Sequence, residues 1–172
     1  MANTYTLIAS NTLGASAASV TFSAIPATYT DLVLRISARS DNANLYSTFK
    51  ITYNADTGTN YSETRLYVQD TGTISSATQG SRSNNTARYE TGASATSNTF
   101  SSFELFLPNY AGTANKPISH FGVSENNSTD AGISTYATLY RGSSAISSIE
   151  LGNFLGNFVS GSSFFLYGIK NS

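Results

Sequence analysis

Hydrophobic positions along this chain recur with a period of two, in short runs separated by Ser, Thr, Asn and Gly. Successive side chains of a strand point to opposite faces, so runs of this kind predict half-buried strands. The clearest covers residues 31–39. Leu32, Leu34, Ile36 and Ala38 share one face there, and Val33, Arg35, Ser37 and Arg39 the other. Residues 46–53 place Phe49, Ile51 and Tyr53 opposite Thr48, Lys50 and Thr52. Residues 100–107 place Phe103, Leu105 and Leu107 opposite Ser102, Glu104 and Phe106. Further strands are predicted over 4–10, 18–24, 64–68, 118–125, 132–141 and 145–151. Asn11-Thr12-Leu13-Gly14 has turn chemistry, and Ile25-Pro26 closes the first pair because Pro cannot donate to a ladder. The polar stretch 54–60 predicts a hairpin joining 46–53 to 64–68.

The final strand, 162–170, is apolar on both sides. Phe164 and Leu166 share one face, and Phe165, Tyr167 and Ile169 the other. An antiparallel strand with one wet face alternates apolar with polar, so this one is expected mid-sheet, its second face against another layer or another subunit. Phe106 also points away from the predicted core. Phe106, Phe165, Tyr167 and Ile169 are therefore the expected oligomer interface, and a homotrimer is the expected assembly. Between 70 and 98 apolar content collapses. That region is expected to be a polar, exposed loop with one short strand near 86–90, the least ordered part of a single domain spanning 1–172.

Helix formers never recur at helical spacing, while 11 Tyr and 10 Phe suit pleated strands. The fold class is all-β: an antiparallel β-sandwich, jelly-roll-like. At 172 residues the chain can bury a sizeable core. Only 11% of residues are charged and the net charge is −1, which leaves no long-range field for nucleic acid or an anionic membrane. Without Cys there is no disulfide scaffold and no thiolate metal site. Residues 1–5 carry no basic segment followed by an apolar run, so no export signal is expected.

Candidate chemistry is sparse. His120 is the only histidine. It lacks the partners that a metal cluster or a triad requires, and a structural role is expected for it. Glu104, Glu125 and Glu150 lie in predicted strands, where a pair could act on a glycoside only if close together; solvent-facing roles are expected instead. The stretches 56–60 and 126–130 offer oxygens to a calcium ion but match hairpin turns better. Tyr61, Tyr67, Tyr89, Tyr110 and Tyr140 are the candidates for stacking on sugar rings. No cofactor, no metal and no enzymatic activity are expected.

Four segments carry a likeness: Ile25-Pro26-Ala27-Thr28-Tyr29-Thr30-Asp31-Leu32-Val33-Leu34, Tyr53-Asn54-Ala55-Asp56-Thr57-Gly58-Thr59-Asn60-Tyr61-Ser62, Phe106-Leu107-Pro108-Asn109-Tyr110-Ala111, and Gly156-Asn157-Phe158-Val159-Ser160-Gly161-Ser162 with the final strand. In that order the chain resembles small virion proteins of tailed bacteriophages, including cyanophages, of the capsid decoration, head-fibre or tail-fibre kind. The resemblance implies a virion structural protein made in the host cytoplasm. Its leading form is a decoration (cement) protein bound to the major capsid protein or another virion protein. The alternative is a tail-fibre or lectin-like module binding host cell-surface glycans.

Overall fold

The computed structural model describes residues 4–69, 72–127 and 130–170, and among them there is no helix. Twelve strands follow one another: β1 (Tyr5–Thr12), β2 (Ser19–Phe22), β3 (Asp31–Ala38), β4 (Tyr46–Tyr53), β5 (Tyr61–Gln69), β6 (Thr73–Arg82), β7 (Asn85–Thr91), β8 (Ser101–Leu107), β9 (Lys116–Ser124), β10 (Gly132–Tyr140), β11 (Ile149–Asn153) and β12 (Ser163–Ile169). They build an eight-stranded sheet, β1-β12-β3-β8-β9-β10-β5-β6, and a four-stranded sheet, β2-β11-β4-β7. Every named strand pair is antiparallel. The two sheets form a β-sandwich around one apolar cluster. Leu32, Leu34, Ile36, Phe103, Leu105, Phe164 and Leu166 enter it from the large sheet, and Val20, Phe22, Phe49, Ile51, Ile149 and Leu151 from the small one. The alternation of β3, β4 and β8 predicted each of their contributions.

The terminal strand lies inside the large sheet as expected, between β1 and β3, with Phe164 and Leu166 fully buried. Pairing partners depart from the local signals. β1 and β2 belong to different sheets, as do β4 and β5, so neither pair is a hairpin. The chemistry of 54–60 is that of a turn all the same. Asp56 Oδ1 accepts from the Gly58 amide at 2.8 Å and Oδ2 from the Asn60 amide group at 2.8 Å. Asn54 and Ala55 both have positive φ. That turn carries the chain from one sheet to the other. An Asx turn sets local direction, whereas β4 pairs with β11 along one edge and with β7 along the other, which leaves no edge for β5.

The region 70–98 is corrected more fully. The short strand expected near 86–90 is β7, and a second strand, β6, precedes it where only loop was expected. β6 is an exposed edge strand, whereas six of the seven residues of β7 are buried. The polar composition hid this burial. Thr86 is satisfied by Glu63 across the sandwich, Asn85 donates to the Ser62 carbonyl, and Thr91 bonds Ser124 at 2.8 Å.

Close packing also fixes one glycine. Gly122 stands in register with Phe103 on the core side of β8–β9, and a Cβ placed there would lie 2.2 Å from the Phe103 ring. Gly122→Ala must push that ring into the Phe49 ring, whose centroid is 5.0 Å away. A loss of about 1–3 kcal/mol is expected, measured by urea unfolding. A neutral substitution would mean that the ring has room to retreat.

Candidate functional site: the outer face of the large sheet

The outward residues of the eight-stranded sheet follow from its register. Leu7, Tyr167, Val33 and Phe106 stand side by side across β1, β12, β3 and β8. Toward the other edge, Val123, Ile133, Val68 and Ile74 stand side by side across β9, β10, β5 and β6. Between these two apolar stripes runs a third row: Phe165, Arg35, Glu104, Phe121, Thr135, Leu66. Among the described residues nine large hydrophobic side chains are exposed: Tyr5, Leu7, Leu66, Ile74, Phe106, Phe121, Ile133, Phe154 and Leu155. All but the last two lie on this one face. Single exposed apolar residues are ordinary, but a contiguous group of them marks a surface that meets something.

At the centre Arg35 Nε donates to Glu104 Oε2 at 2.9 Å, with both side chains more than half exposed. An ion pair that wet contributes 0–1 kcal/mol. It stays accessible to a ligand, and Phe165 and Phe121 flank it in register. Two shallow depressions lie beside it. One, of about 370 Å³, is lined by Arg35, Ser37, Ser102, Ser163 and Phe165; the other, of about 430 Å³, by Glu104, Phe106, Ser119, Phe121 and Thr135. The surroundings are therefore hydroxyls and rings.

Of the four residues expected at the interface, Phe106, Phe165 and Tyr167 lie on this face, the first exposed and the other two half-buried. Tyr167 packs edge-on against Tyr5 with centroids 6.4 Å apart. Ile169 is the exception. Its pairing with Tyr5 and Asp31 puts it on the outward side, yet it is only 7% exposed. It is covered within the chain, so little of the side chain is left to meet a partner.

The remaining candidates lie elsewhere. His120 points inward and is buried, stacked on Tyr136 with centroids 4.0 Å apart. Burial pushes its pKa down to about 3, so the ring is neutral. Neither ring nitrogen has a hydrogen-bond partner among the described residues. Glu104 and Glu125 are exposed and Glu150 is half-buried, and among the described residues no three His, Cys, Asp or Glu side chains gather as metal ligands would. Part of 126–130 lies outside the described residues; within it, Asn127 N donates to Glu125 Oε1 at 3.1 Å. Tyr61, Tyr110 and Tyr140 are core residues, with Tyr61 and Tyr140 packed at 5.1 Å, and Tyr89 is buried too. The loop tyrosines are thus no sugar platform, Tyr67 alone being half-buried.

Sequence reasoning missed Glu63. It is a buried carboxylate that accepts from Arg65 at 2.5 Å and from the Thr86 amide at 3.1 Å and hydroxyl at 2.9 Å. Its place opposite β7 depends on packing across the sandwich, which no local pattern records.

No family model matches the chain, and no curated protein matches its sequence. Among solved structures it is similar to galectin LEC-6 of Caenorhabditis elegans, at 11% identity and a TM-score of 0.36, covering 94% of this chain and 96% of that one. It is also similar to the CBM40 of a Ruminococcus gnavus IT-sialidase bound to α2,3-sialyllactose. There the identity is 12% and the TM-score 0.37, covering 97% of this chain and 95% of that one.

Proposed function

We propose that the chain is a non-catalytic structural protein of a virion. In this reading it is a decoration protein that joins copies of itself, and the capsid lattice beneath, through the outer face of its eight-stranded sheet. The observation that carries the reading is the gathering of seven of the nine large exposed hydrophobic side chains on that face. Its size fits. Eight strands about 4.8 Å apart and about seven residues long span roughly 900 Å², close to what one partner buries in a standard interface. The two apolar stripes differ in composition and lie at opposite ends of the sheet. A heterologous contact, which closes a ring such as a trimer, requires two different patches of this sort. The segments that resemble tailed-phage virion proteins supply the particle.

The test is Phe121→Asp. The side chain is half exposed, so the fold should tolerate the change, while a charge buried in the contact should break it. Light scattering is expected to give an oligomer for the native chain and a folded monomer for the variant. The variant should also fail to rebind particles stripped of the protein. An unchanged oligomer with full occupancy on particles would refute the reading.

A second reading rests on the row Phe165–Arg35–Glu104–Phe121: recognition of a host glycan by a lectin-like fibre module. Rings beside paired charges and hydroxyls are what a sugar's C–H face and hydroxyls need. Loss of binding on a glycan array in Arg35→Ala, with the oligomer and its particle binding unaltered, would favour this second role.

A further inference from the structure

At the far end of the sandwich, away from the outer face, β7 meets β4 with a slip in register. Ser47 pairs with Glu90 and Thr48 with Arg88, leaving Tyr89 as the extra residue of a bulge. Tyr89 has φ of +67°, a conformation a bulky side chain adopts only when its surroundings impose it. Here they do. Its ring seats over Gly132 of β10, where a Cβ would lie 2.6 Å from it, and meets Tyr46 edge-on with centroids 5.2 Å apart. Bulges of this kind re-aim a neighbouring side chain. The one re-aimed is Arg88.

The Arg88 guanidinium lies 5.1 Å from the centroid of Tyr67 and 5.8 Å from that of Tyr89. Among the described residues it forms no ion pair and donates no hydrogen bond. Arg65, also over Tyr67, is by contrast paired with Glu63. Ring faces engage the flat side of a guanidinium, so its in-plane N–H fork is left for an acceptor, and a carboxylate matches that fork with two bonds. Arg88 is half-buried and borders a cleft of about 370 Å³ that Tyr46, Thr48, Gln69, Tyr89 and Asp130 also line. That volume lies within the range of small-molecule sites. With one cation and an aspartate on the rim, the cleft suits a monoanion better than a phosphate. Tyr46 offers part of a ring face, and the Thr48 hydroxyl that lines the cleft with it suits a sugar hydroxyl.

We propose that this cleft binds a carboxylated saccharide unit, with Arg88 receiving the carboxylate and the sugar ring lying beside Tyr46. The site is separate from the outer face and does not rest on the role given to it. The probe is glucuronate, titrated into isotopically labelled full-length protein and followed by amide chemical shifts, with glucose and acetate as parallel arms. Saturable shifts centred on β7 and Gly132 are expected with glucuronate, and much weaker ones with glucose or acetate. Arg88→Gln should lower the glucuronate affinity roughly tenfold or more, as loss of a charge-assisted pair does, while loss of its two ring contacts lowers the melting temperature by only a few degrees. Arg88→Lys, which keeps the charge but loses the fork, should fall between the two and serves if the Gln variant folds poorly. Arg141→Gln, at an exposed arginine that does not line the cleft, should have no effect. Equal binding by the native and Arg88 variants, binding of acetate as tight as glucuronate, or no saturable binding at all would each overturn the proposal.

Discussion

Arg39→Ala should unfold some 3–5 kcal/mol more easily than the native chain, and its melting temperature should fall by roughly 10 °C. Arg39 follows the end of β3 and is only 9% exposed. Its Nη1 donates to the Thr96 and Thr99 carbonyls at 2.8 and 3.0 Å, and its Nη2 to the Ala93 and Ala95 carbonyls at 3.2 and 2.9 Å. Burial pushes its pKa down, but a guanidinium stays charged. One side chain thus satisfies four carbonyls of the loop that follows β7. Truncating it removes four charge-assisted bonds and the packing of a buried side chain; the buried Ala95 carbonyl is left stranded at about 1–3 kcal/mol, while water can reach those of Ala93 and Thr96. Native-state proteolysis should cut within 92–99 in the variant and spare it in the native chain. Arg39→Lys, with a single ammonium in place of a fork, should recover only part of the loss. Arg35→Ala is the control: its pair is exposed, and a change within about 1 kcal/mol is expected. Equal melting temperatures for the two Ala variants would show that the four contacts contribute nothing net.

Arg35 and Arg39 also mark how far the sequence could be read. Strict alternation puts both on the wet side of one strand, and for Arg35 that holds. β3 ends at Ala38, however, and a loop more than fifty residues away in sequence folds over Arg39. Local period thus identified the core faces of β3, β4, β8 and β12 from Leu34, Phe49, Leu105 and Leu166, because a strand's two faces are decided within the strand. It placed Phe106, Phe165 and Tyr167 outward for the same reason. What it could not give was which strand lies beside which. The stripe of Val123, Ile133, Val68 and Ile74 exists only because β9, β10, β5 and β6 are neighbours. The Arg88 cleft depends on a bulge, and bulges leave no period. The strand expected near 86–90 is β7, but its burial is not legible, because its polar side chains are buried against partners across the sandwich, Thr86 against Glu63 above all. A hydrophobicity pattern registers such residues as exposed.

Glu90 and His120 should together give the protein a stability plateau with an edge at each end. Glu90 is fully buried on β7, and desolvation is the main cause raising its pKa, to about 8. With the Asn153 amide turned to donate, it reaches Oε2 at 2.6 Å. Ser47 is its partner in register, and neither the Ser47 hydroxyl nor Glu90 Oε1 has a hydrogen-bond partner among the described residues. A neutral carboxyl can donate to that hydroxyl, whereas a carboxylate has too few donors in so dry a place. A pKa raised on folding contributes stability that is complete below the unfolded value, near 4.5, and is lost as the pH climbs through about 8. By pH 7 the loss amounts to about 3 kcal/mol. His120 acts in the opposite sense. Its pKa falls on folding to about 3, so stability is lost as the pH drops below 6.5. Between about 4.5 and 6.5 the two slopes are one proton each and cancel. Above that window Glu90 alone tilts the curve downward. Below it His120 does, joined by Asp41 and Asp56, whose pKa values are lowered chiefly by hydrogen bonds from the Asn157 and Asn60 side chains. Urea unfolding from pH 3 to pH 9 should trace this shape. Glu90→Gln should flatten the alkaline limb and be the more stable protein at pH 9, and His120→Phe should soften the acid limb while leaving the alkaline one intact. An alkaline slope that persists in Glu90→Gln would mean that Glu90 is ionised in the folded chain and that another group sets the limb.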